Sequence, residues 1–274
     1  MPTHTVEISV SAILFDSDGT LVNSTPSISS VLQSWCQLQG VDPRVLVSDT
    51  TIHGVRTKEI LRKYQRLPKL GSELSEEELD LEAVKSEELV IEAAAKAKER
   101  GDTNGITPLS GVISLLEKLR SMNFEKWGIV TSATSKYADS ALSLAGIENA
   151  PFIVSGDDTA QGKPSPEPYL AGLKELENRK MIPSSQLDPS SVLVIEDSPA
   201  GITSALEAGC QVVAVCTGAV KETQIVEFAT RSMGSIFVIR DLTSVEIVGF
   251  KGDKLKMKIE VLNLSPQEDS SVRN

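Results

Sequence analysis

Apolar residues recur along this chain with two different spacings. Between Ser24 and about Pro108 they return every three or four positions: Ile28, Val31, Leu32 and Trp35; the run Arg56 to Tyr64; then Leu79, Leu81, Val84, Leu89, Val90 and Ile91, with Ala93 to Ala97 extending the same face. That period predicts amphipathic helices throughout the segment. Ser24-Thr25-Pro26 supplies a helix start with an early proline. The stretch Glu73 to Arg100 is acidic early and basic late, as the helix dipole favours, and Gly101-Asp102-Thr103-Asn104-Gly105 ends it in turn chemistry.

From about Thr107 the pattern changes to short apolar runs separated by helical stretches. Strands are expected at Gly128–Val130, Phe152–Val154, Val192–Ile195 and Val212–Val215. Helices are expected at Gly111–Met122, Ser135–Ala145, Pro166–Glu177 and Ala200–Ala208, with Gly146 and Gly209 closing two of them. Uninterrupted apolar strands alternating with helices imply a parallel sheet with right-handed crossovers and helices on both faces. A matching strand, Ala12-Ile13-Leu14-Phe15, stands alone before the helical block. The fold class expected is therefore α/β, with a Rossmann-like parallel sheet plus an inserted all-helical cap domain. Its boundaries are 1–23 and 108–262 for the discontinuous core, 24–107 for the cap and 263–274 for a polar, disordered tail. Ile236–Ile239 and Leu255–Leu262 would add further strands.

Composition narrows the possible partners. The chain has 274 residues, 40% of them hydrophobic, and carries 38 acidic against 27 basic residues for a net charge of −11. Such a surface repels nucleic acid and anionic lipid, so neither is an expected partner. Any phosphate site must then be cationic locally. Three cysteines, Cys36, Cys210 and Cys216, stand in no zinc spacing, which suits a reduced cytoplasmic compartment. No apolar run reaches the roughly 18 residues of a membrane span, and residues 1–7 have no secretory pattern.

Four segments carry candidate chemistry, each following an apolar run. In Asp16-Ser17-Asp18-Gly19-Thr20, two carboxylates arrive at the end of the first strand and Gly19 permits a tight turn. Carboxyl ends of strands are where α/β sheets bind ligands. Two anions so close share a cation, and an oxygen-only ligand set favours Mg²⁺. The same five residues also suit an ordinary turn followed by a helix cap. Thr131-Ser132 places hydroxyls and backbone N–H groups before a helix, which makes an anion receptor or merely an N-cap. In Gly162-Lys163-Pro164-Ser165-Pro166-Glu167-Pro168-Tyr169, three prolines stiffen the loop around one lysine and lower the entropy lost when its ammonium fixes an anion. Val192 to Ile195 ends in Glu196-Asp197. A helix cap needs one carboxylate; the pair leaves the other to explain.

Together these four segments resemble the haloacid dehalogenase-like phosphatase superfamily across about residues 8–240. Within it, His53-Gly54-Val55-Arg56-Thr57, Glu125-Lys126-Trp127, Gly162-Lys163-Pro164, Glu167-Pro168-Tyr169 and Val194-Ile195-Glu196-Asp197 with Gly201-Ile202 look like the fungal phosphatases of small polyol and sugar phosphates, the glycerol-3-phosphatase and 2-deoxyglucose-6-phosphate phosphatase group. Two departures are Ser17, where an apolar residue is usual, and Ala133, where glycine is common.

The resemblance implies a Mg²⁺-dependent hydrolysis of a small phosphate ester by a monomer. Asp16 would be the nucleophile and Asp18 the general acid and base. Thr131, Ser132 and Lys163 would hold the phosphoryl oxygens, and Asp16, Asp18 and Asp197 the metal, with Glu196 beside or among them. Dehalogenases of the superfamily have no carboxylate at the position of Asp18, because a halide needs no proton, so its presence points to a phosphate ester. His53 and Arg56 would reach the substrate from the cap; Arg56 could equally pair with a cap carboxylate such as Glu59. The rival readings are a sugar-phosphate mutase on the same scaffold and a catalytically silent regulatory relative.

Overall fold

The computed structural model describes residues 1–39, 42, 44, 49–64, 73–102, 104–232 and 236–264. Strand β1 (Thr3–Val10) is followed by β2 (Ala12–Phe15), β3 (Val22–Asn23) and the helices α1 (Thr25–Gln39), α2 (Thr57–Tyr64) and α3 (Glu76–Glu99). The chain continues through β4 (Thr107–Pro108), α4 (Val112–Ser121), β5 (Trp127–Val130), α5 (Ser135–Leu144), β6 (Ile153–Val154), α6 (Glu167–Asn178), β7 (Val192–Glu196), α7 (Pro199–Glu207), β8 (Gln211–Val215), α8 (Glu222–Arg231) and β9 (Ile236–Ile239). It ends in the hairpin β10 (Val245–Lys251) and β11 (Lys254–Leu262).

The main sheet has six strands in the order β6-β5-β2-β7-β8-β9, all parallel. Side chains of a strand alternate between faces, and both faces here are covered. Ile13, Phe15, Leu193, Ile195, Val213 and Val215 join one buried cluster with residues of α4 and α5. Their neighbours Ala12, Leu14, Val192, Val194, Val212 and Ala214 join a second with residues of α6, α7 and α8. Double burial explains the unbroken apolar runs, since each position loses water whichever way it points; a fully buried Leu or Ile contributes roughly 1.5–3 kcal/mol. The sheet grows from β2 to β5 and β6 on one side, then to β7, β8 and β9 on the other. That reversal opens a crevice at the carboxyl ends of β2, β5 and β7, the ligand position of such sheets.

The three helices α1 to α3 lie between β3 and β4, which pair with each other antiparallel where the chain leaves the sheet edge and returns. Their own buried apolar cluster is small: Cys36, Ile52 and Tyr64, with Leu32, Trp35 and Ile60 packed on it. Charge pairs supplement it, Lys58 with Asp80 at 2.6 Å and Arg62 with Glu76 at 2.6 Å. A capping box between Ser75 and Glu78 starts α3.

One expectation needs correction. Residues 24 to 108 are not helical throughout: Thr50–Ile52 is a short 3₁₀ turn and Thr107–Pro108 is strand β4. Residues 40–41, 43, 45–48, 65–72 and 103 lie outside the described residues. The amino-terminal residues form β1, which pairs with β11, and β11 pairs with β10 in a separate antiparallel sheet. The alternation Leu255, Met257, Ile259, Val261 faces the first cluster, while Lys256 and Lys258 face Glu7 across the pair. The terminal stretch expected to be disordered lies outside the described residues from 265 onward.

Candidate active site

Phe15 ends β2 and the next residue begins a tight turn in which the N–H groups of Thr20, Leu21 and Val22 all point to the Ser17 carbonyl. Gly19 has φ +91°, and a Cβ there would come within 2.2 Å of Asp197 Oδ2. A second glycine, Gly218, leaves the same kind of space: its Cβ would lie 1.7 Å from that oxygen. The Asp197 carboxylate therefore fits only because two backbones approach it without side chains. The loop is tied to the β8 end by Thr217 Oγ1, which donates to the Gly19 carbonyl at 2.6 Å.

Lys163 is the hub. Its ammonium donates to Asp16 Oδ1 at 2.7 Å, to Glu196 Oε1 at 2.7 Å and to the Val130 carbonyl at 3.0 Å, which joins the ends of β2, β5 and β7. Burial disfavours this ammonium, but Asp16 and Glu196 outweigh it and raise its pKa above the ordinary lysine value. Glu196 also accepts from Tyr169 OH at 3.1 Å, and its other oxygen accepts from the Asp197 N–H, the Ser198 N–H and Ser198 Oγ. Gly201 makes room for it, since a Cβ there would lie 1.6 Å from Oε1.

Oxygens of Asp16, Glu196 and Asp197 lie within 4.8 Å of one another, all three side chains buried. Glu196 is saturated with donors. Asp16 Oδ2 is buried with no hydrogen-bond partner, and Asp197 Oδ1 has only Thr20 Oγ1 at a long 3.4 Å. Burial and the charge of Glu196 push the Asp16 pKa up, with Lys163 pulling it down; burial, Asp16 and Glu196 push Asp197 up. Three buried carboxyl groups against one ammonium, with a bare carboxylate oxygen between them, fit a divalent cation held by Asp16 and Asp197.

The helix-cap alternatives are resolved by observed caps. The N-cap of α5 is Thr134, so neither Thr131 nor Ser132 serves there, and the N-cap of α7 is Ser198 rather than Asp197. Thr131 is buried at the end of β5, its Oγ1 accepting from the Ala133 N–H at 3.2 Å. Ser132 Oγ donates to the Gly54 carbonyl at 2.7 Å, linking the inserted segment to the sheet edge. Gly54 has φ +79° and sits so near α7 that a Cβ would meet Ser198 Oγ at 2.0 Å.

His53 and Arg56 are placed differently from the buried carboxylate cluster. His53 stands half-buried at the end of the 3₁₀ turn, and burial lowers its pKa against the opposing charge of Asp49. Arg56 reaches the core rather than the cluster: its guanidinium donates to the Thr159 carbonyl at 2.7 Å, to Thr159 Oγ1 at 2.5 Å and to the Ala160 carbonyl at 3.2 Å. Among the described residues Glu59 pairs with Arg62 instead. Gly162 lies under Arg56, with space for a Cβ only 2.9 Å from Nε.

Asp18 lies one turn of the loop beyond Asp16. Its Oδ1 accepts from Tyr137 OH at 2.9 Å, and the nearby Ser24 hydroxyl also lowers its pKa. Burial raises its pKa despite these donors. Tyr137, Ser24, Tyr169, Thr217 and Gly218 are site residues that the sequence patterns did not single out for these roles. Tyr169 stood inside the proline-rich motif; the others have no local signature, because only the folded sheet edge brings them to the carboxylates.

A profile of the haloacid dehalogenase-like hydrolase family matches residues 13–215. The chain is 33% identical over 202 residues to hexitol phosphatase A of Escherichia coli K12, covering 74% of this chain and 81% of that one. It is 29% identical over 258 residues to glycerol-1-phosphate phosphohydrolase 2 of Saccharomyces cerevisiae, covering 92% and 91%. Among solved structures, a HAD hydrolase of family IA, variant 3, from Entamoeba histolytica superimposes with a TM-score of 0.65 at 23% identity, covering 85% of this chain and 93% of the other.

Proposed function

The chain belongs to the haloacid dehalogenase-like hydrolase family, and on that premise we propose that it is a Mg²⁺-dependent phosphatase acting on a small phosphorylated polyol or sugar, such as a glycerol phosphate, a hexitol phosphate or 2-deoxyglucose 6-phosphate. The observation that carries this reading is the bare Oδ2 of Asp16 beside the buried ammonium of Lys163. One oxygen of the carboxylate is fixed by the lysine, and the other is free to face a cation and a phosphorus atom. The names of the two relatives, both phosphatases of small phosphorylated alcohols, support the substrate class.

In this mechanism Asp16 attacks phosphorus and takes the phosphoryl group as an aspartyl ester. Asp18 gives its proton to the leaving alcohol, then takes one from the water that cleaves the ester. Lys163, the hydroxyl of Thr131 and the Ser132 N–H hold the phosphoryl oxygens. Asp16, the Asp18 carbonyl and Asp197 would hold Mg²⁺, which supplies charge that offsets repulsion between carboxylate and phosphate. Glu196 keeps Lys163 in place through their 2.7 Å contact. The segment 24–107 acts as a cap over this edge, with the Gly54 carbonyl bonded to Ser132 there. Among the described residues no helix is long and apolar enough to cross a membrane; we place the enzyme in the cytoplasm as a monomer.

Phosphate release should be measured across a panel of polyol and sugar phosphates, with and without Mg²⁺. Release from at least one ester, only with the cation and with no isomeric phosphate formed, is the expected result. Isomeric product would establish the mutase instead, and inertness toward every ester would remove the phosphatase reading.

A further inference from the structure

We infer that Tyr137 is a positioning residue for the acid–base carboxylate, and that the inserted helix α3 fixes Tyr137 in turn; this rests on the phosphatase reading above. Tyr137 lies in the first turn of α5, 4% exposed, and its hydroxyl donates to Asp18 Oδ1 at 2.9 Å. Ser24, also buried, lies near the same carboxylate from the other end of the loop, where its hydroxyl lowers the carboxyl pKa. A carboxylate whose Oδ1 is held by a buried tyrosine hydroxyl keeps one rotamer, and Oδ2 is the oxygen that can serve the leaving group. Without Tyr137 the side chain has nothing on that side to hold its angle. A displacement of about 1 Å in a catalytic group is worth on the order of 10²-fold in rate.

The turn carrying Tyr137 is itself pinned from the inserted segment. Glu87 on α3, 7% exposed, accepts from Thr134 Oγ1 at 2.5 Å and from the Thr134 N–H at 3.2 Å. Thr134 Oγ1 in turn accepts the Tyr137 N–H at 3.4 Å. Thr57 Oγ1 holds the other Glu87 oxygen at 2.8 Å. A continuous set of partly buried hydrogen bonds thus runs from the inserted helix to Asp18, and it is complete only with α3 seated on α5.

In the first chemical step a bond forms between Asp16 and phosphorus, the ester P–O bond breaks, and the Asp18 proton passes to the departing oxygen. An alkoxide needs that proton; p-nitrophenolate leaves without it. The ratio kcat/KM reports this step, because it covers events only up to the first irreversible one. Tyr137→Phe keeps the ring and removes only the hydroxyl. With Mg²⁺ present it is expected to lower kcat/KM roughly 10- to 100-fold for an alkyl phosphate that the wild type hydrolyses. For p-nitrophenyl phosphate the loss should stay under about 3-fold, since the general-acid contribution is not needed there. Ser24→Ala should shift the same ratio in the same direction by less, and it carries the test if the melting temperature of Tyr137→Phe shows a misfolded protein. Equal losses on both esters, or no loss on either, would overturn the inference. A wild type inert toward both esters would overturn the phosphatase reading instead.

Discussion

The two sides of the proposed site are built differently. Asp16, Glu196 and Asp197 stand at or just beyond the ends of β2 and β7, strands whose every residue is buried. Facing them, Gly54 and Arg56 sit on a segment whose described apolar cluster centres on Cys36, Ile52 and Tyr64 and whose helices lean on charge pairs. Exposed ion pairs contribute little, typically 0–1 kcal/mol each, whereas each buried aliphatic side chain of the sheet contributes roughly 1.5–3 kcal/mol. The chemistry therefore rests on the rigid side. The inserted side meets it through Val90 and Ala94 of α3, which join the buried cluster on one face of the sheet, and through polar contacts: Gly54 to Ser132, Arg56 to Thr159 and Ala160, Glu87 to Thr134, and Lys136 to Glu88 at 2.6 Å.

Breaking the rigid side should have the largest effects. Asp16→Asn, nearly isosteric, removes the nucleophile and should lower turnover by at least about 10³-fold while leaving the fold in place, as circular dichroism would check. Lys163→Met should abolish measurable phosphate release. It also leaves Asp16 and Glu196 buried without their counter-charge, a loss of about 3–5 kcal/mol in urea unfolding. Gly201→Ala is a purely steric probe: its methyl would occupy the space of Glu196 Oε1. It should destabilise by about 1–3 kcal/mol and reduce kcat, because Glu196 must turn away from Lys163.

On the inserted side, losses should be smaller and of another kind. Arg56→Ala frees the guanidinium contacts to Thr159 and Ala160, and should change KM and kcat together by about 10-fold, with a melting temperature within about 3 °C of wild type. Glu87→Gln should be the mildest. Burial raises the Glu87 pKa above its ordinary value. Its favourable contribution is therefore complete below the unfolded pKa and is lost as pH rises through the raised, folded value. The neutral variant should gain in stability relative to wild type between pH 5 and pH 8, read as the difference between their melting temperatures. An equal difference at both pH values would remove burial of the charge as the cause.

How much of this could be read from the sequence follows from the same contrast. Strands β2, β5, β7 and β8 were legible because burial on both faces makes them apolar at nearly every position, and β2, β5 and β7 end where the chemistry-bearing residues stand. Strand β1 was not, though Val6, Ile8 and Val10 alternate with polar residues in it; one covered face gives half the signal, and its partner β11 lies some 250 residues away in the chain. At the site, Asp16, Lys163 and Glu196-Asp197 stood out because their neighbours were apolar runs, prolines or glycine. Tyr137 and Ser24 did not, since an ordinary amphipathic helix and a helix start explain them locally. The contact of Tyr137 with Asp18 exists only after the chain has returned from the inserted segment. Arg56 was visible as a motif residue, but its partners are backbone carbonyls, which no side-chain pattern announces.

The most direct test is phosphate release from p-nitrophenyl phosphate by the wild type and Asp16→Asn, each with Mg²⁺ and with a chelator. Release by the wild type with Mg²⁺ alone, and none above background from Asp16→Asn, is the result expected of a cation and a nucleophile meeting at Asp16. A wild type inert with Mg²⁺, or an Asp16→Asn variant turning over at a near-normal rate, would contradict it.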